Sequence, residues 1–241
     1  QVEVEAQSTS VGGIVGRLGH GNAMNMVTRN TLSNCEATSS VLVSGERRVG
    51  GLVGDVEPVS GALTNPNLTL DSPHTAVLKD CESSAQVSAQ QEAGGILRGT
   101  RAITRLEKVR TTAEATLDIR DASSNSGKTL LGGLAGYFGW EGSPRPERWV
   151  ISESSSQTRF LFDGASTVGG LAGRAAKVRI SQSWAESAMA PEQLRRWGGL
   201  VGLLVGDGDV AQNLPSIENC YASLGVLSVR EQDVGGLVGL T

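Results

Sequence analysis

Val234-Gly235-Gly236-Leu237-Val238-Gly239 recurs along this sequence as Val11-Gly12-Gly13-Ile14-Val15-Gly16 and Val49-Gly50-Gly51-Leu52-Val53-Gly54. Looser copies are Ala93-Gly94-Gly95-Ile96-Leu97, Leu131-Gly132-Gly133-Leu134-Ala135-Gly136, Val168-Gly169-Gly170-Leu171-Ala172-Gly173 and Trp197-Gly198-Gly199-Leu200-Val201-Gly202. The first glycines stand at 12, 50, 94, 132, 169, 198 and 235, at intervals of 38, 44, 38, 37, 29 and 37 residues. A near-constant period in this range marks a repeat architecture and governs every local reading.

Two further blocks recur between the glycine pairs. One has an aliphatic residue followed by small side chains three and five positions later: Leu32/Cys35/Ala37, Leu78/Cys81/Ser83, Leu106/Val109/Thr111, Ile151/Ser154/Ser156, Ile180/Ser183/Ala185 and Ile217/Cys220/Ala222. The step of two is a strand period, and the step of three before it implies a bulge or corner. The other block alternates as a strand: Val41/Val43, Leu117/Ile119, Phe160/Phe162, with Val226 in the same place in the last repeat. Each repeat thus reads as about three short strands. The expected fold is all-β: a parallel β-solenoid (β-helix), right- or left-handed, of roughly six turns, forming one repeat domain over residues 1–241 that is a segment of a longer protein. A four-stranded propeller blade per repeat is the competing architecture. The 29-residue interval is short for it, and the near-constant chemistry at each aligned position suits residues stacked on their counterparts one turn away, about 4.8 Å apart.

The paired glycines invite two explanations. Glycine accepts positive φ at a sharp corner. A phosphate-cradling loop would instead need a following helix, whereas Leu-Val-Gly or Leu-Ala-Gly follows here. The corner explanation is preferred.

Gly235-Gly236-Leu237-Val238-Gly239 with the upstream Ile217-Glu218-Asn219-Cys220-Tyr221-Ala222 resembles the GLUG repeat of bacterial secreted and surface-attached proteins, including adhesins and the immunoglobulin A protease family. The resemblance covers nearly the whole chain. It implies an extracellular or cell-surface location and a stalk or binding segment rather than a catalytic domain. The middle of the array departs from the pattern, with Arg98 in place of the last glycine and Val109 or Ser154 in place of Cys.

Composition narrows the function classes. The 21 basic and 25 acidic residues give a net charge of −4 without a basic stripe, which argues against nucleic-acid binding. No run approaches the ~18 apolar residues of a membrane-spanning helix, so direct membrane insertion is not expected. Three cysteines cannot form a disulfide framework; Cys35 and Cys81 are expected to stay reduced and Cys220 to be a buried free thiol. His20 and His74 are the only histidines and have no ligand-spaced partner; Asp207-Gly208-Asp209 lacks the alternating acids of a calcium loop. No metal or cofactor is implied. Glu141, Glu147 and Glu153 are the carboxylates considered for a polysaccharide-acting β-helix enzyme (lyase or hydrolase), the alternative to a non-catalytic adhesion or projection module.

Repeat length varies at one corner, where Arg17–Thr31, Asp55–Val77, Tyr137–Val150 and Leu203–Ser216 read as loops inserted along one edge, with an excursion near Ser123–Thr129 leaving from another corner. Loops on a rigid scaffold commonly carry function. The stretch 137–149 holds two of four tryptophans and four of nine aromatics. It reads either as a ligand platform or as a plug folded over the flank. The candidate binding residues are Tyr137, Trp140, Arg145, Arg148 and Trp149, and the expected partner is a glycan or protein of a host or neighbouring cell.

Overall fold

A Cβ added to almost any paired glycine would strike main chain, and that restriction shapes the molecule. In the computed structural model, which describes residues 2–6, 10–19, 30–58, 69–72, 75–119, 129–142, 149–162, 166–187, 196–206, 215–224 and 233–241, the chain winds through five parallel sheets. Sheet I holds Val2–Ala6, Val41–Gly45, Gln86–Ala89, Thr116–Ile119 and Arg159–Phe162. Sheet II runs from Val11–Gly12 to Asp233–Gly235 in seven strands, and sheet III from Val15–Leu18 to Val238–Leu240 in seven. Sheet IV has six strands, Asn30–Ser33 to Ser216–Glu218, and sheet V six, Glu36–Ala37 to Tyr221–Leu224. The fold is a parallel β-solenoid.

Five strands per turn replace the three expected, because two of the three blocks bend in the middle. The glycine block becomes a sheet II strand and a sheet III strand around the Gly-Leu corner. The aliphatic block becomes a sheet IV strand and a sheet V strand around one left-handed residue. That residue is Asn34, Asp80, Lys108, Glu153, Gln182 or Asn219, with φ between 49° and 53° in all six turns. Asn and Asp enter this region readily; Lys, Glu and Gln do so at a cost of about 1–2 kcal/mol each. The neighbouring rung holds them there: Asn34 N donates to Lys79 O, Lys108 N to Ser152 O and Gln182 N to Glu218 O, each at 3.1 Å.

The glycine pairs are required by crowding. Positive φ among the described glycines occurs only at Gly19 and Gly139. The first glycine of each pair lies against the carbonyl three residues on, so that a Cβ at Gly50 would sit 1.9 Å from Val53 O. The second lies against the carbonyl of its own counterpart one rung along: Gly51 on Gly95 O (2.1 Å), Gly133 on Gly170 O (2.1 Å), Gly199 on Gly236 O (2.0 Å). Gly236, with no described rung beyond it, has nothing within 4 Å. The same glycine meets the inward side chain of sheet V, for example Ser83 Oγ over Gly51, Thr111 Cγ2 over Gly95 and Ala185 Cβ over Gly170. This is why the fifth position of the aliphatic block is small.

Inside, aliphatic ladders stack in register. Leu32, Leu78, Leu106, Ile151, Ile180 and Ile217 pair consecutively across sheet IV. Leu52, Ile96, Leu134, Leu171 and Leu200 form the corner ladder, each 0 % exposed, and each backbone N–H donates to the next carbonyl at 2.9–3.0 Å. Ile14 and Leu237, expected inside, are 46 % and 43 % exposed. They stand on the first and last described rungs, each with a described neighbour on one side only. Val226 lies outside the described residues. The thiols of Cys35, Cys81 and Cys220 are all free. Cys220 is half-buried rather than buried, since it also stands on the last described rung. Burial pushes the Cys81 and Cys220 thiols above their ordinary range.

Candidate functional site: the edge between sheets III and IV

The chain passes from sheet III to sheet IV in corners of very unequal size. After Thr100 only residues 101–103 intervene before Thr104, and after Ala176 only Lys177 before Val178. Between these two short corners the rung ending at Gly139 resumes at Trp149. Gly139 has φ +107°, and a Cβ there would meet Ala176 O at 2.0 Å, so glycine lets the strand end against its neighbour and turn outward. Gly19 likewise follows the end of a sheet III strand with positive φ, +134°, and a Cβ there would meet Glu57 O at 2.4 Å.

The stretch 137–149 is therefore strand at both ends, not loop throughout. Tyr137 lies in sheet III, in a column with Arg17, Asp55, Gly99, Arg174, Leu203 and Leu240. The Arg174 guanidinium carbon stands 5.8 Å from the centre of the Tyr137 ring, and Arg174 also pairs with Glu141. Burial raises the Tyr137 hydroxyl above its ordinary value, with Arg174 opposing. Gly99, one rung back, supplies no side chain. Trp140 packs against the core, and a Cβ at Gly142 would touch its ring at 2.6 Å. Tyr137, Glu141 and Arg174 thus form one mixed aromatic and charged patch, with Trp140 next to Glu141 in the chain.

Trp149 does not join it. It is the first residue of a sheet IV strand, paired with Thr104 and Val178, and is 0 % exposed. Its indole N–H donates to Ala102 O at 2.6 Å, an acceptor shared with the hydroxyls of Thr104 (2.8 Å) and Thr100 (3.1 Å). The expectation of Trp149 as an exposed contact is corrected: inward alternation of the strand makes it core, closing the short corner below. Arg145 and Arg148 lie outside the described residues, as do His20, His74, Glu147 and Asp207-Gly208-Asp209. Glu141 and Glu153 stand at different corners, Glu153 paired with Lys108 at 3.7 Å.

Next to the same edge, Arg98 occupies the place of the last glycine of its block without losing register. Its guanidinium meets Asp55 at 3.3 Å and Glu92, while Arg48 reaches Asp55 at 3.7 Å. The alternating chain Arg48–Asp55–Arg98–Glu92 crosses from sheet II to sheet III over two rungs.

Two features escaped the sequence reading. A groove of about 400 Å³ runs over the outer face of sheet I, lined by residues including Leu42, Ser44, Gln86, Ser88, Asp118 and Leu161. On sheet V, Trp184 and Tyr221 point outward from adjacent rungs. The second was visible in principle, since both residues sit between the two small positions of aligned blocks, Ser183/Ala185 and Cys220/Ala222.

No protein-family model matches the chain, and no curated protein matches it. A solved structure from Bacteroides ovatus, named as a candidate immunoglobulin A1 protease, is similar in fold, with a TM-score of 0.55 and 18 % identity. The likeness covers 93 % of this chain and 66 % of that one, so the chain spans just under two thirds of that protein's length.

Proposed function

We propose that this chain is a non-catalytic GLUG-type repeat module of a secreted or surface-attached bacterial protein, which projects or adheres and meets its partner along the edge between sheets III and IV. One observation carries the reading: the rungs stack in unbroken register while the changes of length fall mainly at one corner. A rigid rod with variable loops along one line suits presentation of a contact surface. The likeness to the Bacteroides ovatus structure supports the fold on which this rests. The contact residues are Tyr137 and Trp140, flanked by Arg174 and Glu141, and Arg145 and Arg148 belong to the same proposal. A host or neighbouring-cell glycan or protein is the partner class. The test is binding of the purified chain to host-cell or bacterial surfaces, with Tyr137→Ala and Trp140→Ala expected to lower it while the circular dichroism shows the β-fold kept. Equal binding by both variants rejects the edge as the contact surface.

A second reading, an enzyme acting on polysaccharide, is favoured by the sheet I groove with Asp118 in its lining. Release of new reducing or unsaturated ends from polysaccharide, abolished by Asp118→Asn, would establish it over the first.

A further inference from the structure

The outward face of sheet V is a grid of three parallel ladders. The central ladder runs Glu36, Glu82, Arg110, Ser155, Trp184, Tyr221. Left-handed corner residues flank it on one side, and Thr112, Gln157 and Glu186 lie on the other. Around Ser155 every neighbouring position in the central and flanking ladders carries a larger side chain, so the middle of the grid is a dimple.

The indole of Trp184 forms one wall of that dimple. Tyr221, on the next rung, stacks on it with ring centres 5.7 Å apart and planes within 4°. One face of the indole is thereby partly covered by the offset Tyr221 ring; the opposite face is on the side of the Ser155 rung. The far wall is the rung of Arg110, two rungs and so about 9.6 Å from Trp184. Arg110 leans away, its Nε donating to Glu82 Oε2 at 2.6 Å, which keeps the space above Ser155 open. At one side Gln157 Nε2 donates to Glu186 Oε2 at 3.2 Å, and at the other Lys108 pairs with Glu153 at 3.7 Å. Among the described residues the Ser155 hydroxyl makes no hydrogen bond.

We propose that this dimple binds a neutral pyranose ring of an oligosaccharide, stacked on the free face of Trp184. A sugar ring has an apolar C–H face for the indole and a rim of hydroxyls for planar amide and carboxylate groups, and the dimple offers both. An apolar peptide anchor fits worse, because the groups around the indole are hydrogen-bonding ones. The charges select against acidic sugars and phosphates: Lys108 is matched by Glu153 and Arg110 by Glu82, leaving Glu186, which has no cationic partner among the described residues, as the unbalanced charge. The indole is held by its stack before ligand arrives, so little ordering entropy is lost on binding. The site is on a different face from the edge carrying Tyr137 and Trp140, and stands or falls separately.

The test uses the full chain on an array of neutral and acidic glycans, followed by titration of the best ligand. Binding to at least one neutral hexopyranose glycan is expected, weakened at least tenfold by Trp184→Ala and blocked by Ser155→Phe, which fills the dimple and leaves the indole in place. Trp140→Ala should bind that glycan as the parent does. The proposal is overturned if no neutral glycan on the array is bound, if acidic glycans are preferred, or if Ser155→Phe binds as tightly as the parent. Because Ser155 faces solvent, that last variant decides the matter even if Trp184→Ala folds poorly.

Discussion

Gly170→Ala and Gly236→Ala are the same substitution at the same place in the repeat, and the stacking geometry separates them sharply. A Cβ at Gly170 would lie 2.1 Å from Gly199 O and 2.4 Å from Ala185 Cβ. Bringing the first contact to 3.0 Å requires the rungs to part by 3.0 − 2.1 = 0.9 Å, and Ala185 blocks escape inward. Three hydrogen bonds bridge the rungs there: Gly170 N to Gly198 O at 3.3 Å, Leu171 N to Leu200 O at 2.9 Å and Ala172 N to Leu200 O at 3.0 Å. Stretching them by that amount ruptures them, and at ~1 kcal/mol each the loss is ~3 kcal/mol. Overpacking against Ala185 adds ~1–3 kcal/mol. Gly236 meets nothing within 4 Å, and its replacement should stay within ~0.5 kcal/mol of the parent. Urea unfolding followed by the fluorescence of buried Trp149 and Trp197 measures both. Hydrogen exchange at Leu171 and Leu200 reports whether the loss is local to the corner. A Gly170→Ala protein with the parent's midpoint, or a Gly236→Ala protein as damaged as Gly170→Ala, would refute crowding as the reason for the second glycine.

Further outcomes follow from the same structure. Leu171→Asp places a carboxylate in a ladder position with 0 % exposure, and a loss of several kcal/mol (~3–5) is expected on urea unfolding. Trp149→Phe loses the N–H···O bond to Ala102 and part of the buried indole, for ~2–3 kcal/mol, whereas Trp149→Ala should cost ~3–5 kcal/mol. Iodoacetamide on the native protein, read by mass spectrometry, should label Cys35 and Cys220 before Cys81, which is 1 % exposed. Stability should fall at both ends of the pH range. Lys79, hydrogen-bonded to Glu107, holds its carboxyl below the ordinary 4.5, so that contribution is present above 4.5 and lost as the carboxylate protonates on acidification. Burial raises the Cys81 and Cys220 thiols above 9.0, so theirs is present below 9.0 and lost as pH climbs through the raised values. A urea midpoint measured against pH checks both limbs, and Cys81→Ala should flatten the alkaline one.

The period, the strand alternation and the identity of the stacked residues were all written in the sequence. A parallel solenoid sets each residue on its counterpart one turn away, so repetition along the chain becomes contact in space. That is why Leu78, Leu106, Ile151 and Ile180 could be placed in one ladder from spacing alone, and why Trp184 and Tyr221 could have been placed side by side. What only the tertiary structure decided are quantities set between rungs and between sheets. The paired glycines looked like residues needing positive φ; their constraint is a neighbouring carbonyl 2 Å from the missing Cβ, which no local rule contains. The second block left a bulge or a corner open; in space it is a corner between two sheets, hinged on a left-handed residue that can be Lys, Glu or Gln because the next rung holds it. Trp149 read either as part of an exposed aromatic platform beside Trp140 or as a plug folded over the flank. Inward or outward is settled by where the strand resumes after the insertion, and the length of the inserted segment does not encode that point; only pairing with Thr104 and Val178 does.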